Sequence, residues 1–375
     1  MLERGAEVHL GCFQEEDRDA EGVEFLRRRC AAVHAPRLDR SRRKVTSLRG
    51  LLTGEPLTLP FFRDASLQHA VSAWNTPPAD LVYVYSSSMA QYALHTAARA
   101  KVMQFAELDS DKWRQYADVS GLLGRWIYGR EARRLLAFED RVARTFSRSL
   151  VVSDIEKELF MQRIPGVVPE VLPNGVDVEH FTTAGDGERH PHTCVFTGVM
   201  DYEPNIDGVC WFAERCWPAL RAQFPDARLL VVGSKPVPKV LALAQQPGIT
   251  VTGRVPTTPP YFDQAAVAIA PLRLARGVQN KVLEAMSMSL PVVSSPQAAQ
   301  GLGDVPPGTL TVADGEPATI RGIAELFADP VRARSIGRQA GAWVRQHWRW
   351  ERMYERLDGL LADLGVPLPE ARPKG

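Results

Sequence analysis

The feature that most constrains this chain is a rhythm that starts twice. Short β-rich runs alternate with helical patterns: Glu7-Val-His-Leu-Gly-Cys-Phe13, Leu81-Val-Tyr-Val-Tyr85, Lys101-Val-Met-Gln-Phe105 and Ser149-Leu-Val-Val152. After Pro173 it begins again with Cys194–Thr197, Arg228–Gly233, Ile249–Gly253, Ala266–Ala270 and Pro291–Ser294. Strands this apolar are buried on both faces, and only helices packed on each side bury both faces of a sheet. The expectation is an α/β chain of two facing Rossmann-like doubly wound domains. A length of 375 residues suits two ordinary domains. Proline and glycine mark the junction between Pro165 and Asp177, so the domains are drawn as 1–165 and 166–344. The C-terminal helical stretch 345–375 is expected to pack back on the first domain, with a loose tail from Pro367. Ligands in such sheets sit beyond the C-terminal strand ends.

The first domain opens oddly. Met1–Ala6 reads as the end of a helix capped by Gly5. A doubly wound domain usually begins with a strand and a glycine-rich turn ahead of that helix. The sequence therefore predicts a first domain lacking its opening strand and glycine-rich loop, as a misassigned start codon would leave it; the alternative is a family that begins at this point.

Composition excludes several classes. A net charge of +1 argues against bulk-charge coating of nucleic acid. Cys12, Cys30, Cys194, Cys210 and Cys216 form no CxxC pair, so neither a zinc nor a redox motif is expected. An odd, scattered set fits a reducing compartment. No apolar run approaches the ~18 residues of a spanning helix and no signal peptide opens the chain, so a cytoplasmic protein is expected.

One segment carries chemistry: Pro271-Leu-Arg-Leu-Ala-Arg-Gly-Val-Gln-Asn-Lys-Val-Leu-Glu-Ala-Met-Ser-Met-Ser-Leu-Pro291. A strand ends at Pro271, a loop carries Arg273, Arg276 and Gly277, and a helix starts across Val278, Gln279, Asn280 and Lys281. Its N-terminal N–H groups and dipole favour an anion at the sheet's C-terminal edge. Gly277 allows backbone to approach a phosphate closely. Arg276 and Lys281 supply charge for two phosphate groups. Glu284, one turn on and beside Leu283, shares the side of Lys281 and suits the two hydroxyls of a ribose. The same spacing also suits an ordinary basic loop with a surface Lys281–Glu284 pair.

The segment resembles the donor-site motif of GT-B glycosyltransferases of family GT4, through Leu283-Glu284-Ala285-Met286 followed by Pro291-Val-Val293. The resemblance implies that Glu284 holds the donor ribose. The family's first glutamate falls where this chain has Arg276. The run Arg276-Gly-Val-Gln-Asn-Lys281 resembles instead a branch of sugar transferases found with PEP-CTERM/exosortase exopolysaccharide systems. Val171-Leu-Pro-Asn-Gly-Val-Asp177 resembles the hinge motif, Phe196-Thr-Gly-Val-Met-Asp-Tyr-Glu-Pro-Asn205 the first donor-domain strand and loop, and Thr252-Gly253-Arg254-Val255 the loop that meets the base. Gly198 and Asn205 thus join the donor list. Lys235, after the strand ending at Gly233, is a further source of charge for diphosphate. In the first domain, Asp109-Ser-Asp111 mimics the metal-binding DxD of the other glycosyltransferase fold, but the bilobal pattern suits GT-B, whose members need no divalent metal; Asp109 or Asp111 is taken as facing the cleft.

The implied activity is retaining transfer of a hexosyl unit from a UDP- or GDP-sugar to a glycan or lipid-linked acceptor, with no cofactor and no metal, and with Lys281, Arg276 and Asp109 as the reacting-side residues. An arginine stripe of Arg130, Arg134, Arg141, Arg144 and Arg148 beside apolar Leu135, Phe138, Val142 and Phe146 reads first as a core-packed helix with a solvated outer face; the alternative is a basic amphipathic helix that touches an anionic membrane peripherally, at the inner face of the cell membrane. Competing readings are a GT-B sugar epimerase and a non-catalytic nucleotide-sugar-binding or scaffold protein. A Rossmann oxidoreductase is disfavoured because Gly301-Leu-Gly303 lacks the third glycine and the setting.

Overall fold

The computed structural model describes residues 2, 5–17, 19–183, 189–275 and 277–367. The chain divides into two compact units, residues 1–152, 156–172 and 356–375 in the first, and 153–155 and 173–355 in the second. The division falls after Leu172, not at 165–166. The reason is a short strand, Glu170–Val171, that pairs with Arg148–Val151 and keeps the chain in the first unit until then.

In the first unit β1 (His9–Gly11) pairs in parallel with β2 (Ala32–His34). A separate parallel sheet runs β3 (Ala79–Tyr85), β4 (Ala98–Ala106), β5 (Arg148–Val151) and β6 (Glu170–Val171), in that order. Where one doubly wound sheet was expected, there are two. The core on one face gathers Met103, Phe105, Phe160 and Ile164. On the other, Ala100, Val102, Leu150 and Leu172 receive Leu361 and Val366 from the C-terminal helix Trp350–Asp363 and the turn after it. Arg99 ties that turn down by donating to the Gly365 carbonyl at 2.9 Å. The expected return of the tail is thus made by residues 356–367, while 345–355 stay with the second unit. Residues 368–375 lie outside the described residues, as do Met1, Glu3 and Arg4 of the opening segment.

The second unit is one six-stranded parallel sheet, β12–β11–β10–β7–β8–β9: β7 (Thr193–Thr197), β8 (Arg228–Val232), β9 (Ile249–Gly253), β10 (Val267–Ala270), β11 (Val292–Ser294) and β12 (Thr311–Val312). Numbered from its own first strand, the order is 3-2-1-4-5-6 reversed, the doubly wound order that switches direction between strands one and four. Here the switch lies between β7 and β10. Every residue of β7 and β10 is buried, as central strands covered on both faces must be. Trp217, Phe196, Phe212 and Phe262 anchor the continuous core. At the unit's entry, Gly175 leaves room for Trp350: a Cβ there would stand 2.7 Å from the Trp350 Cα. Next to it, Val176 donates to the Trp348 carbonyl at 2.7 Å.

Candidate functional site

The site is built on the two loops that leave the switch point. After β10 the chain runs from Pro271 to the helix Asn280–Ser287. Val282, Leu283, Ala285 and Met286 are buried, a spacing that pins the helix to the sheet and turns Lys281 and Glu284 together onto its other side. Gln279 is the extended N-cap residue, and the helix ends as Ser289 takes a φ of 52° ahead of Pro291. Gly277 has a φ of 61°, and Gly301 lets that loop pass, since a Cβ there would stand 2.1 Å from the Gly277 carbonyl oxygen. Val278 and Gln279 are half-buried and Asn280 is exposed. Arg276 lies outside the described residues. Arg273 is committed elsewhere, forming an ion pair with Asp207.

The loop after β7 meets this helix. Gly198 follows the strand directly, and a Cβ on it would fall 2.6 Å from Asn205 Nδ2 and 3.1 Å from Lys281 Nζ. Gly233, after β8, presses on the same loop: its Cβ would stand 1.7 Å from the Gly198 carbonyl oxygen. Lys281 donates to Asn205 Oδ1, while Asn205 Nδ2 donates to the Val199 carbonyl at 2.9 Å. The ammonium also stands 4.4 Å from the Phe196 ring centroid. Burial disfavours its charge, and despite the opposing pull of Glu284 its pKa falls to about 7. Burial raises the Glu284 carboxyl, with Lys281 acting the other way. That carboxylate has no hydrogen-bond partner among the described residues. A cation and an acceptor, both partly desolvated beside a glycine loop, are a ready receptor for an anion joined to a hydroxyl-bearing group.

Lys235, in the loop after β8, is exposed with its Nζ 3.8 Å from Asp201 Oδ2. Gly253 closes β9 with a φ of 68° and accepts from the Gly233 N–H at 3.3 Å; Arg254 beyond it is exposed and Val255 half-buried. Leu283 is fully buried, so its side chain belongs to the core.

Asp109 belongs to the first unit. It begins the helix Asp109–Val119 and accepts from the Ser87 hydroxyl at 2.6 Å. Burial raises its pKa. Beside it, fully buried Glu139 accepts from the Ser110 N–H at 3.3 Å and is raised to about 8, mainly by burial. Asp111 is consumed by Arg114 at 2.9 Å and Arg163 at 3.0 Å, a structural ion pair. Among the described residues no group of three or more His, Cys, Asp and Glu is placed to hold a metal ion. The arginine stripe changes too. The helix ends at Thr145, so Arg148 lies in β5 and Phe146 caps the helix inside the core. Arg130 donates to the carbonyls of Gly50 and Glu55, and Arg144 to Asp140, which leaves Arg134 and Arg141 as its solvent-facing members without an ion pair among the described residues.

Sequence reasoning missed Phe196 under the ammonium, the Gly233–Gly198 contact and the Ser87–Asp109–Glu139 cluster. Phe196 follows the strand alternation and reads as core; Glu139 reads as one more charge on a polar helix. Only its position among apolar neighbours, Leu135 and Val142, hinted at burial.

Residues 191–329 match the family described as Glycosyl transferases group 1. The GDP-mannose-dependent alpha-(1-6)-phosphatidylinositol monomannoside mannosyltransferase of Mycolicibacterium smegmatis is 27% identical over 53% of this chain and 57% of its own length. The monoacylated-acceptor counterpart from Corynebacterium glutamicum is 29% identical over 51% of this chain and 55% of its own. The chain thus spans little more than half the length of these relatives. Among solved structures, sucrose-phosphate synthase from Thermosynechococcus elongatus superposes with a TM-score of 0.67 at 15% identity, covering 96% of this chain and 99% of that one. Anabaena HepE in complex with UDP and glucose gives 0.63 at 13% identity, covering 95% and 100%. The fold is therefore the GT-B fold, and the second unit carries the group 1 glycosyl transferase match.

Proposed function

We propose that the protein is a retaining hexosyltransferase that uses a nucleoside diphosphate sugar. The observation that carries the reading is the Lys281–Asn205–Gly198 contact at the sheet's switch point, with Glu284 one helical turn further on. In this reading Glu284 accepts the ribose hydroxyls, and the backbone of Gly277, Val278, Gln279 and Asn280 faces the diphosphate with Lys281. Arg276, Asn205, Gly198 and Lys235 complete the anion side, and Gly253, Arg254 and Val255 meet the base. Transfer depends on stabilising charge on the departing diphosphate, a task for fixed cations and N–H dipoles rather than a protein nucleophile. Asp109 is the acceptor-side residue. No metal or cofactor enters the scheme. The two curated relatives are GDP-mannose-dependent and HepE is complexed with UDP, so GDP-mannose and UDP-glucose are the first donors to try.

Thermal shift and calorimetry with both donors, followed by assay of nucleoside diphosphate release, test this. Glu284→Ala should weaken donor binding by ~10-fold or more, and Lys281→Ala should mainly depress turnover. Unchanged affinity and rate in both variants sink the site. Donor binding without product would leave a nucleotide-sugar-binding protein in place of the enzyme.

The acceptor in this reading is a glycan or lipid-linked glycan of exopolysaccharide synthesis, met in the cytoplasm at the inner membrane face. Among the described residues no helix is long and apolar enough to cross a membrane. What supports surface contact is the tip between helices Asp109–Val119 and Leu122–Thr145, where Val119 is 85% exposed, Leu122 87% and Leu123 73%. Exposed Trp126, Arg125, Arg133 and Arg134 continue that surface. An apolar tip followed by unpaired arginines suits an anionic bilayer. Pelleting with phosphatidylcholine vesicles, with and without phosphatidylglycerol, should show binding that needs the anionic lipid and is lost in Leu122→Asp/Trp126→Ala. Equal recovery with both vesicles overturns it.

A further inference from the structure

Two turns at the C-terminal edge of the first unit's four-stranded sheet hold residues with a Cβ in the left-handed region. Ser86, after β3, has a φ of 71°, and Ala106, at the end of β4, a φ of 62°. Around Ala106 the Glu107 N–H donates to the Phe105 carbonyl at 2.8 Å, closing a three-residue γ-turn, and the β4–β5 register shifts there. Such backbone persists only where its surroundings fix it, and it gathers at binding sites. Both turns serve one meeting. Ser87 follows the first and Asp109 the second, and the Ser87 hydroxyl donates to Asp109 Oδ2 at 2.6 Å. Glu139 joins them from the helix Leu122–Thr145. The helix Asp109–Val119 has Leu108 at its N-cap, whose side chain cannot cap it, so its first N–H groups need an outside acceptor. Glu139 Oε1 is that acceptor for the Ser110 N–H, at 3.3 Å. Glu139 and Ser87 are fully buried, whereas Asp109 is only half-buried. Glu139 Oε2 is buried and has no hydrogen-bond partner among the described residues. A carboxylate oxygen is costly there, a carboxyl O–H far less so.

We propose that Glu139 is the positioning residue of a sugar-hydroxyl site at this edge: neutral, it holds the N-terminus of the helix that carries Asp109 and leaves Asp109 as the charged member of a pair of carboxyls with one proton between them. This rests on the reading of Asp109 as the acceptor-side residue, and it adds the group that sets the charge and place of Asp109. The negative charge of Asp109 acts on Glu139, so ionising both is unfavourable. Lys112, on the helix of Asp109, favours the Asp109 carboxylate, as does the Ser87 hydroxyl. Asp111 is held by Arg114 and by Arg163 of the helix Asp154–Arg163, and Glu156 of that helix is buried and partnered. The proton therefore stays on fully buried Glu139 and the charge on half-buried Asp109. Ser87 takes Asp109 Oδ2, and Oδ1 has no hydrogen-bond partner among the described residues. A charged oxygen at the C-terminal edge of a parallel sheet, where ligands of such sheets bind, accepts a hydroxyl and rejects an ether or ester oxygen. As pH rises past about 8, Glu139 ionises, two negative charges crowd Ser87, and this arrangement is lost.

The test is carbon-13 spectroscopy of the full chain labelled at its Asp and Glu side-chain carboxyls, with the two signals assigned through Asp109→Asn and Glu139→Gln. Glu139 should titrate with a midpoint of about 8, and in Asp109→Asn that midpoint should fall by about one pH unit. The methyl glycosides of mannose, glucose and galactose serve as hydroxyl-bearing probes. At pH 7 at least one of them should shift the Asp109 signal saturably. Glu139→Ala should weaken that response by ~10-fold or more, and Glu139→Gln, which keeps a neutral acceptor for Ser110, should restore it. At pH 9 the parent's response should weaken by ~10-fold while that of Glu139→Gln holds, a difference that a merely structural Glu139 would not produce. A Glu139 midpoint unmoved in Asp109→Asn overturns the pair. No response of Asp109 to any of these glycosides overturns the hydroxyl site, and equal weakening in Glu139→Gln and Glu139→Ala overturns the positioning role. The sugar donor enters none of these measurements, so this inference and the donor site in the second unit fail separately.

Discussion

Lys281 shows how one residue's environment sets a measurable property. Its folded pKa of about 7 lies well below the ordinary 10.5, so between those values the unfolded chain holds more protons than the folded one. The cost of burying the ammonium is fully present below pH 7 and fades as pH rises toward 10.5. A bound diphosphate would pull the pKa back up. Donor binding at pH 7 should then take up about half a proton, tending to none at pH 6 and to about one at pH 8. Calorimetry in buffers of different ionisation enthalpy measures this directly. Lys281→Arg, which cannot deprotonate, should abolish the uptake while retaining a charge. Uptake unchanged in that variant would assign the proton to another group. The sequence made Lys281 and Glu284 legible because both sit at helical spacing after a strand and a glycine. The lowered pKa was not legible, since it arises from burial of the ammonium, and the groups that cover it, Phe196 and Asn205 among them, are far from Lys281 in sequence and brought to it by the β7–β10 pairing.

Between β3 and the helix Asp109–Val119 the elements meet on buried polar groups. Ser86 holds a φ of 71°, unusual for a residue with a Cβ, and starts the short turn that delivers Ser87 to Asp109. Glu139 enters from the helix Leu122–Thr145, and its buried Oε2 has no hydrogen-bond partner among the described residues. A neutral carboxyl costs far less there than a carboxylate. Because its pKa is raised from 4.5 to about 8, the folded state holds the extra proton, and stability is lost as pH rises through that window. The melting temperature of the first unit should therefore fall between about pH 5 and 8 and level off above that, and Glu139→Gln should flatten the fall while keeping the acceptor for Ser110. A variant whose melting profile follows the parent's across that range refutes this account. The cluster escaped sequence reading because helix periodicity reports which side of a helix is apolar, and Glu139 is a charge on that side.

At the scale of the whole molecule, the double rhythm of strands and helices foretold two parallel α/β units, because long apolar β-runs are visible without an alignment. Three strands were not visible. β2, β6 and β12 are three, two and two residues long, too short for any period to register. The sequence did point to an irregular first unit, through the absence of an opening strand and glycine-rich turn, but not to a division of its strands into two sheets among the described residues. That division has a thermodynamic consequence. The second unit packs one continuous core around six laddered strands, whereas the first divides its buried residues between separate clusters and, among the described residues, its strands between two sheets. Cooperativity follows contiguous packing, so the units should unfold in separate steps, the first unit at lower temperature. Calorimetry with hydrogen exchange at intermediate temperatures checks it: amides of β3 and β4 should exchange while those of β7 and β10 stay protected. A nucleoside diphosphate sugar that binds the second unit should raise only the upper transition, by an amount set by its concentration relative to its dissociation constant. A single transition with uniform exchange would mean that the division into two units does not govern unfolding, and a ligand shift confined to the lower transition would move the donor site out of the second unit.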